Sequence, residues 1–306
     1  MTNMKRTLLI GLLVLLGFTG LAQTVDVESE TFSFSIGVAN TGSNVRQSDV
    51  DINIPQTKDV NNKTFVVIFA NEKYQKEQEV PFAQHDGDVF KQYCIMTLGI
   101  PEKNIRMETN ATLNNMKHEI LWLKNTLATF NGEAKGIVYY SGHGIPDESN
   151  KSAYLLPVDG YANDPESGYR LDKIYSDLGN ANASAVTYFI DACFSGANRE
   201  GDMLVASKGA AVKSKAGVLA GNSISFSAAQ GDETAYVYHD KSHGMFTYFL
   251  LKKLQETKGD VNYGDLADYI NDKVTKMSMV ENSKMQTPTT SASITVSGNW
   301  RKFKLK

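Results

Sequence analysis

The chain has 306 residues, 42% hydrophobic and 21% charged, with 24 Gly, only 7 Pro and a net charge of −3. That length supports one large domain or two small ones, and the composition excludes low-complexity and disordered classes. The slightly acidic balance excludes the basic footprint that nucleic-acid binding requires.

The first element is a leader. In MKRTLLIGLLVLLGFTGLAQ, Lys5 and Arg6 precede an apolar run from Leu8 to Phe18, and small residues follow at Gly20 and Ala22. This order describes a secretory signal peptide, 1–22, cut before Gln23. The alternative is an uncleaved anchor, but the run is short for a span of about 20 residues. Removing 22 residues, Lys5 and Arg6 among them, leaves 284 and moves the charge from −3 to −5. The mature protein is then expected to be exported, periplasmic or secreted, with no remaining membrane span. In an oxidising compartment Cys94 and Cys193, the only two cysteines, could pair.

Residues 23–60 are rich in Ser, Thr, Asn and Asp. Phe32, Phe34, Ile36 and Val38 alternate as in a half-buried strand. The stretch reads as an arm or pro-segment, leaving 61–306 as the folded domain.

From Phe65 strands and helices alternate. FVVIFA (65–70) suits a strand buried on both faces. DGDVFKQYCIMTLG is helical, with Cys94 beside its apolar stripe and Gly99 as a stop. NIRMET is a second strand. Leu113, Met116, Ile120, Leu123, Leu127 and Phe130 then recur at helical spacing, with Thr112 as the cap. GIVYYSGHG is a third strand entering a Gly-rich turn, LDKIYSDLG a short helix, and AVTYFIDACFSG a fourth strand with its loop. Residues 199–222, rich in Gly, Ala, Ser and Lys, read as a mobile loop. SISFSAA is a fifth strand. Two helices follow, the second capped by Asn262 with Asp265 three residues on. This alternation predicts an α/β fold with a mainly parallel sheet, whose functional groups gather at the carboxyl ends of the strands.

That rule singles out two residues. His143 follows the third strand and Cys193 the fourth. On adjacent strands they would lie roughly 5 Å apart. A lone cysteine there can be a packing residue, half of a disulfide, a metal ligand or a nucleophile. A free thiol, with a pKa of about 8.5, needs an imidazole to activate it for attack on a peptide carbonyl. The glycines at 142, 144 and 196 leave room for substrate and for backbone N–H groups facing an oxyanion. No paired C-x-x-C or H-x3-H spacing marks a metal site, and no G-x-S-x-G elbow marks a serine hydrolase.

YYSGHG followed by DACFSG, with His143 and Cys193 fifty residues apart, resembles the caspase/metacaspase-like cysteine peptidases, particularly bacterial members. The resemblance spans about residues 60–290 and includes PFAQHDGDVFKQY, SFSAAQGDETA and HGMFTYFLLKKL in the same order. It implies a caspase-like α/β/α sandwich on a largely parallel six-stranded sheet, with helices on both faces. It implies Cys193 as nucleophile, His143 as its partner, and the N–H groups of Gly144 and Cys193 as the oxyanion hole.

Asp191 lies two residues before Cys193, so strand alternation sends both to one side. In the resembled family the Asp of D-x-C lines an acidic pocket, and Asp86 in QHDGD matches its second acidic position. Such a pair favours cleavage after Arg or Lys, Arg binding bidentately. Cations at Arg199, Lys208, Lys213 and Lys215 in the loop are then candidate self-cleavage sites.

The remaining histidines read as supporting. His243 starts a helix and is structural or near the cleft, His85 is a solvated loop position beside Asp86, His118 is exposed and His239 lies in a polar loop. No cofactor is required and no metal ligands are assigned. The acidic loops IPDESN and VDGYANDPES offer calcium a loose hold, as in calcium-activated metacaspases, but lack EF-hand spacing. The expected activity is that of a cysteine endopeptidase, a monomer acting on peptide or protein substrates. Its alternatives are an idle binding module on the same fold, or a transpeptidase using the same thioester.

Overall fold

A computed structural model describes residues 46–306, except 148, 150, 151, 203 and 205–216. The expected leader, the alternating segment 32–38 and the candidate cleavage sites Lys208, Lys213 and Lys215 lie outside the described residues. No helix among the described residues is long and apolar enough to cross a membrane.

The chain runs β1 (Thr64–Ala70), α1 (Ala83–Met96), β2 (Ile105–Thr109), α2 (Leu113–Ala128) and β3 (Lys135–Ser141). Three short strands follow, β4 (Gly144–Pro146), β5 (Ala153–Leu155) and β6 (Tyr169–Arg170), then α3 (Leu171–Gly179). The rest comprises β7 (Ala185–Asp191), β8 (Ser223–Ser227), β9 (Val237–Tyr238), β10 (His243–Gly244), α4 (Met245–Thr257), α5 (Tyr263–Asn282) and β11 (Thr289–Ala292). The main sheet has six strands in the order β11-β8-β7-β3-β1-β2. All neighbours are parallel except β11, which pairs antiparallel with β8. This is the α/β sandwich expected.

Period-two alternation divides the strands between two cores. Val66, Ile68, Ile137, Tyr139, Phe189 and Phe226 pack with residues of α1, α4 and α5. Phe65, Val67, Phe69, Val138, Tyr140 and Tyr188 pack on the opposite face with residues of α2 and α3. Phe189 shows the density of the first core: its ring stacks on Phe226 at 5.1 Å and meets Phe90 edge-on at 5.9 Å. Burying such a side chain contributes about 1.5–3 kcal/mol.

The helix caps follow from local chemistry. Thr112 accepts from the Asn115 N–H, and the Asn115 side chain takes the Thr112 N–H in return. Asn262 accepts from the Asp265 N–H at 2.8 Å. Each satisfies a backbone donor that has no partner within its helix. Helix α1 begins at Ala83, earlier than the apolar stripe suggested, so His85 is helical rather than in a loop.

Residues 46–60, read from sequence as part of an arm, pack into the same compact unit as the rest. Val50 is fully buried in the core of α1, α4 and α5. The Tyr93 hydroxyl donates to the Val50 carbonyl, and Asp49 takes bonds from Lys241, Tyr248 and Lys252. A polar composition hid the two apolar side chains, Val50 and Ile54, that anchor the segment.

Candidate active site

Strands β3 and β7 are adjacent, with Ser141 opposite Asp191 at their carboxyl ends. The alternation forecast for Asp191 and Cys193 holds: Phe189 and Cys193 join the core of α1, α4 and α5, whereas Ile190, Ala192 and Phe194 join the other. Gly144 opens β4 directly against the Cys193 backbone. A Cβ there would lie 2.5 Å from the Cys193 carbonyl oxygen and 2.6 Å from the Phe194 ring, so only glycine fits.

His143 is buried against Tyr74, ring centroids 4.6 Å apart, and its backbone N–H donates to the Tyr74 hydroxyl at 2.8 Å. Its Nε2 lies 2.7 Å from the main-chain carbonyl of Gln78. A carbonyl only accepts, so Nε2 carries the proton and Nδ1 is left as the basic nitrogen of the neutral ring. Burial pushes the imidazole down to about 4, against the Gln78 bond, which raises it. In the unfolded chain the ring takes its proton near about 6.5. The unfolded state therefore binds more protons between these values, and stability falls as pH drops from about 6.5 to 4, by up to about 3 kcal/mol. Tyr74, Tyr140 and the charge of Arg199 surround the ring. Thermal unfolding of the native and His143→Gln chains at pH 4.5 and 6.5 measures this: the native chain should lose more stability on acidification. Equal losses would count against it.

The Cys193 thiol is equally buried. Its Sγ accepts the Ala235 N–H at 2.9 Å and lies 3.6 Å from the Ala235 carbonyl and 4.0 Å from that of Asn198. Burial pushes it up to about 12, so it is a neutral thiol at neutral pH. His143 and Cys193 come to neighbouring strand ends, but among the described residues each engages other groups rather than hydrogen-bonding the other. Both cysteines are free. Cys94 is wholly buried in α1, as its apolar stripe implied.

The two carboxylates meet. Asp86 from α1 and Asp191 from β7 are wholly buried and share one cation, Arg199. Its Nη1 donates to Asp86 Oδ2 at 3.2 Å and to the Pro81 carbonyl at 3.0 Å. Its Nη2 donates to Ser141 Oγ at 2.8 Å and lies 3.2 Å from Asp191 Oδ1. This last approach is an ion pair without hydrogen-bond alignment: Asp191 Oδ1 and Arg199 Nε both lack a hydrogen-bond partner. Asp191 Oδ2 is better served, by the Thr247 hydroxyl at 2.7 Å and the Thr247 N–H at 3.2 Å. Burial raises the Asp191 carboxyl, and Arg199 pulls it back down. Burial opposes the charge on Arg199, but Asp191 and Asp86 hold it above its ordinary value.

Arg199 is thus corrected from an exposed loop cation to a side chain only 2% exposed. Nothing local predicts this, because the small residues 195–198 allow many paths and only the buried carboxylates select one. Ser141, missed in the sequence, was legible there: it shares the alternation of Tyr139 and the register of Asp191. Gly244 closes the pocket, since a Cβ would lie 2.3 Å from Asp191 Oδ2, and its N–H donates to Asp86. Gln78 acts through its backbone, which no side-chain pattern can show. Phe82, in left-handed backbone at φ 64°, stores strain of about 1–3 kcal/mol beside the Pro81 carbonyl that holds Arg199.

His243 adjoins this pocket. Its Nδ1 lies 2.7 Å from Asp86 Oδ1 and its Nε2 2.9 Å from Asp51 Oδ1. Burial works against its charge, but bonds to Asp51 and Asp86 win and hold it at about 9, an imidazolium at neutral pH. His85 meets Asp51 Oδ2 at 3.1 Å and is only partly exposed, which corrects its solvated reading. His118 is exposed, as expected, and His239 lies in a short 3-10 turn.

Known proteins agree with this architecture. A family model described as the caspase domain matches residues 63–297. Caspase-1 from Spodoptera frugiperda superposes with a TM-score of 0.53 at 13% identity, over 81% of this chain and 94% of that one. A protein from Geobacter sulfurreducens superposes with a TM-score of 0.56 at 16% identity, over 79% of this chain and 97% of that one. No curated protein matches. With the family model covering well over half its length, the chain belongs to the caspase-domain family of cysteine peptidases.

Proposed function

We propose that this protein is a cysteine endopeptidase that cleaves after basic residues, with Cys193 as nucleophile, His143 as general base and acid, and Asp86, Ser141 and Asp191 as the pocket for the residue before the scissile bond. One observation carries the reading: a buried guanidinium, that of Arg199, already rests between the two carboxylates beside the thiol. A substrate arginine is the same chemical group, and planar guanidinium pairs with carboxylates more selectively than ammonium does.

In the reaction, His143 Nδ1 takes the thiol proton and Sγ attacks the carbonyl carbon. The backbone N–H groups of Gly144 and Cys193 stabilise the oxyanion. The imidazolium then protonates the leaving amine as the C–N bond breaks. Water, deprotonated by the same histidine, opens the thioester, and the proton returns to the thiol. The dyad calls for no cofactor.

The arrangement described is a latent one. The thiol is neutral and bonded to Ala235, and the pocket is filled from within. The fit of Arg199 supports displacement rather than permanence, since its Nε and Asp191 Oδ1 lack hydrogen bonds. Self-cleavage directly after Arg199 is disfavoured in this arrangement, because the carbonyls within reach of the thiol are those of Ala235 and Asn198 rather than that of Arg199.

Peptide reporters ending in Arg, Lys or Asp test the specificity. The Arg peptide should turn over fastest, Lys next, and Asp at background, since two carboxylates repel it. A faster Asp peptide would overturn the pocket assignment.

A further inference from the structure

Asp51, His85 and His243 converge from three separate segments: the strap ahead of β1, the first turn of α1, and β10. We infer that these three side chains form a zinc-type cation site, independent of the thiol and of the proposed peptidase activity.

The geometry points there in four ways. The three ligand atoms lie within 4.8 Å of one another. His243 Nε2 is 2.9 Å from Asp51 Oδ1, and His85 Nε2 is 3.1 Å from Asp51 Oδ2. A tetrahedral zinc with bonds of about 2.0–2.1 Å holds its ligand atoms roughly 3.3 Å apart. The two histidines approach different oxygens of Asp51, so a small rotation of that carboxylate and a closer approach of the imidazoles complete the triangle. The rings already stack with centroids 4.7 Å apart and planes 27° from parallel.

Secondly, the outer contact is that of a metal-binding histidine. His243 Nδ1 faces Asp86 Oδ1 at 2.7 Å. Binding displaces the Nε2 proton of His243 to solvent, and the carboxylate on Nδ1 then directs Nε2 toward the metal, as in carboxylate–histidine–zinc arrangements. Thirdly, the burial is graded. His243 is wholly buried and the Asp51 side chain is 8% exposed, whereas that of His85 is 23% exposed and gives a cation an entry side. Finally, two imidazole nitrogens with one carboxylate oxygen suit zinc, not calcium or magnesium, which demand oxygen ligands. Water can supply the fourth position.

Asp51 lies ahead of the part of the chain that matches the family model, so the site is completed by a segment outside residues 63–297. A cation there would fasten this strap to α1 and, through His243 and Asp86, brace one wall of the carboxylate pocket. Without it the same groups form the hydrogen-bonded cluster described above, so the chain folds either way.

The test uses the full, tag-free chain with Cys193→Ala, which removes the one thiol near the pocket as a competing ligand. After stripping with EDTA, zinc is titrated calorimetrically and cobalt(II) serves as the spectroscopic stand-in. One equivalent of zinc should bind, cobalt should show the intense visible absorption of a tetrahedral centre, and zinc should raise the melting temperature. His85→Ala and, should that fold poorly, His85→Gln should weaken zinc binding at least tenfold while leaving the metal-free melting temperature within a few degrees. No saturable binding, or binding of unchanged affinity in the His85 variants, would overturn the site. Neither result bears on peptide cleavage, so the two readings fail separately.

Discussion

Replacing Cys193 by alanine is expected to lower turnover of an Arg-terminated peptide reporter by at least about 10^4-fold, to the background of the uncatalysed reaction. The size of the effect follows from the chemistry: the thioester needs a sulfur, and alanine has none. Stability should change little, because the thiol's backbone contacts, the Ala235 N–H and the carbonyls of Ala235 and Asn198, are weak sulfur hydrogen bonds. An Arg-based electrophile followed by peptide mapping gives the complementary result. Label should appear on Cys193, at the strand end beside the pocket, and not on Cys94, which packs within α1 in the core. Label confined to Cys94, or activity retained in Cys193→Ala, would remove Cys193 as the nucleophile. The same variant bears on self-processing. If the native chain is cut at Lys208, Lys213 or Lys215 during purification, Cys193→Ala should stay intact; identical fragments from both would assign the cuts to another protease.

The second large effect is expected at Asp191. Asp191→Asn keeps the shape and can keep both Thr247 bonds, but removes the charge facing a guanidinium. Breaking one side of a buried charge pair costs about 2–5 kcal/mol, so kcat/KM for the Arg peptide should fall roughly 10^2- to 10^3-fold. The substitution also loosens Arg199, which by itself would open the pocket and raise activity. Comparing an Arg peptide with its uncharged citrulline analogue on the same variant cancels that term, because both substrates meet the same fraction of open enzyme. The native protein should prefer Arg strongly, and Asp191→Asn should bring the ratio close to one. An unchanged ratio would place the specificity elsewhere.

Much of this was readable in the chain. The apolar β-branched runs, the helical spacing from Leu113 to Phe130 and the caps Thr112 and Asn262 are local signals, and local chemistry decided them. The sixth strand, Thr289–Ala292, was not legible from pattern. It is short and built of Thr, Ser and Ala, and pairing with β8 rather than any apolar alternation makes it a strand.

The candidate site divides in the same way. His143, Cys193 and Asp191 stand at strand ends, where period-two alternation and parallel connectivity suffice to bring them to one edge. Register across β3 and β7 then adds Ser141. What only the tertiary structure decided is which partner each group takes. His143 turns Nε2 to the Gln78 backbone, Cys193 takes an N–H from Ala235, and Arg199 enters the pocket between Asp86 and Asp191. These choices depend on residues distant in sequence meeting in a dry interior, where an unpaired charge or polar group is costly and the nearest complement is taken. Sequence by itself determined the elements and the chemistry on offer at their ends; burial and long-range pairing decided that the thiol is neutral and the pocket already holds an arginine.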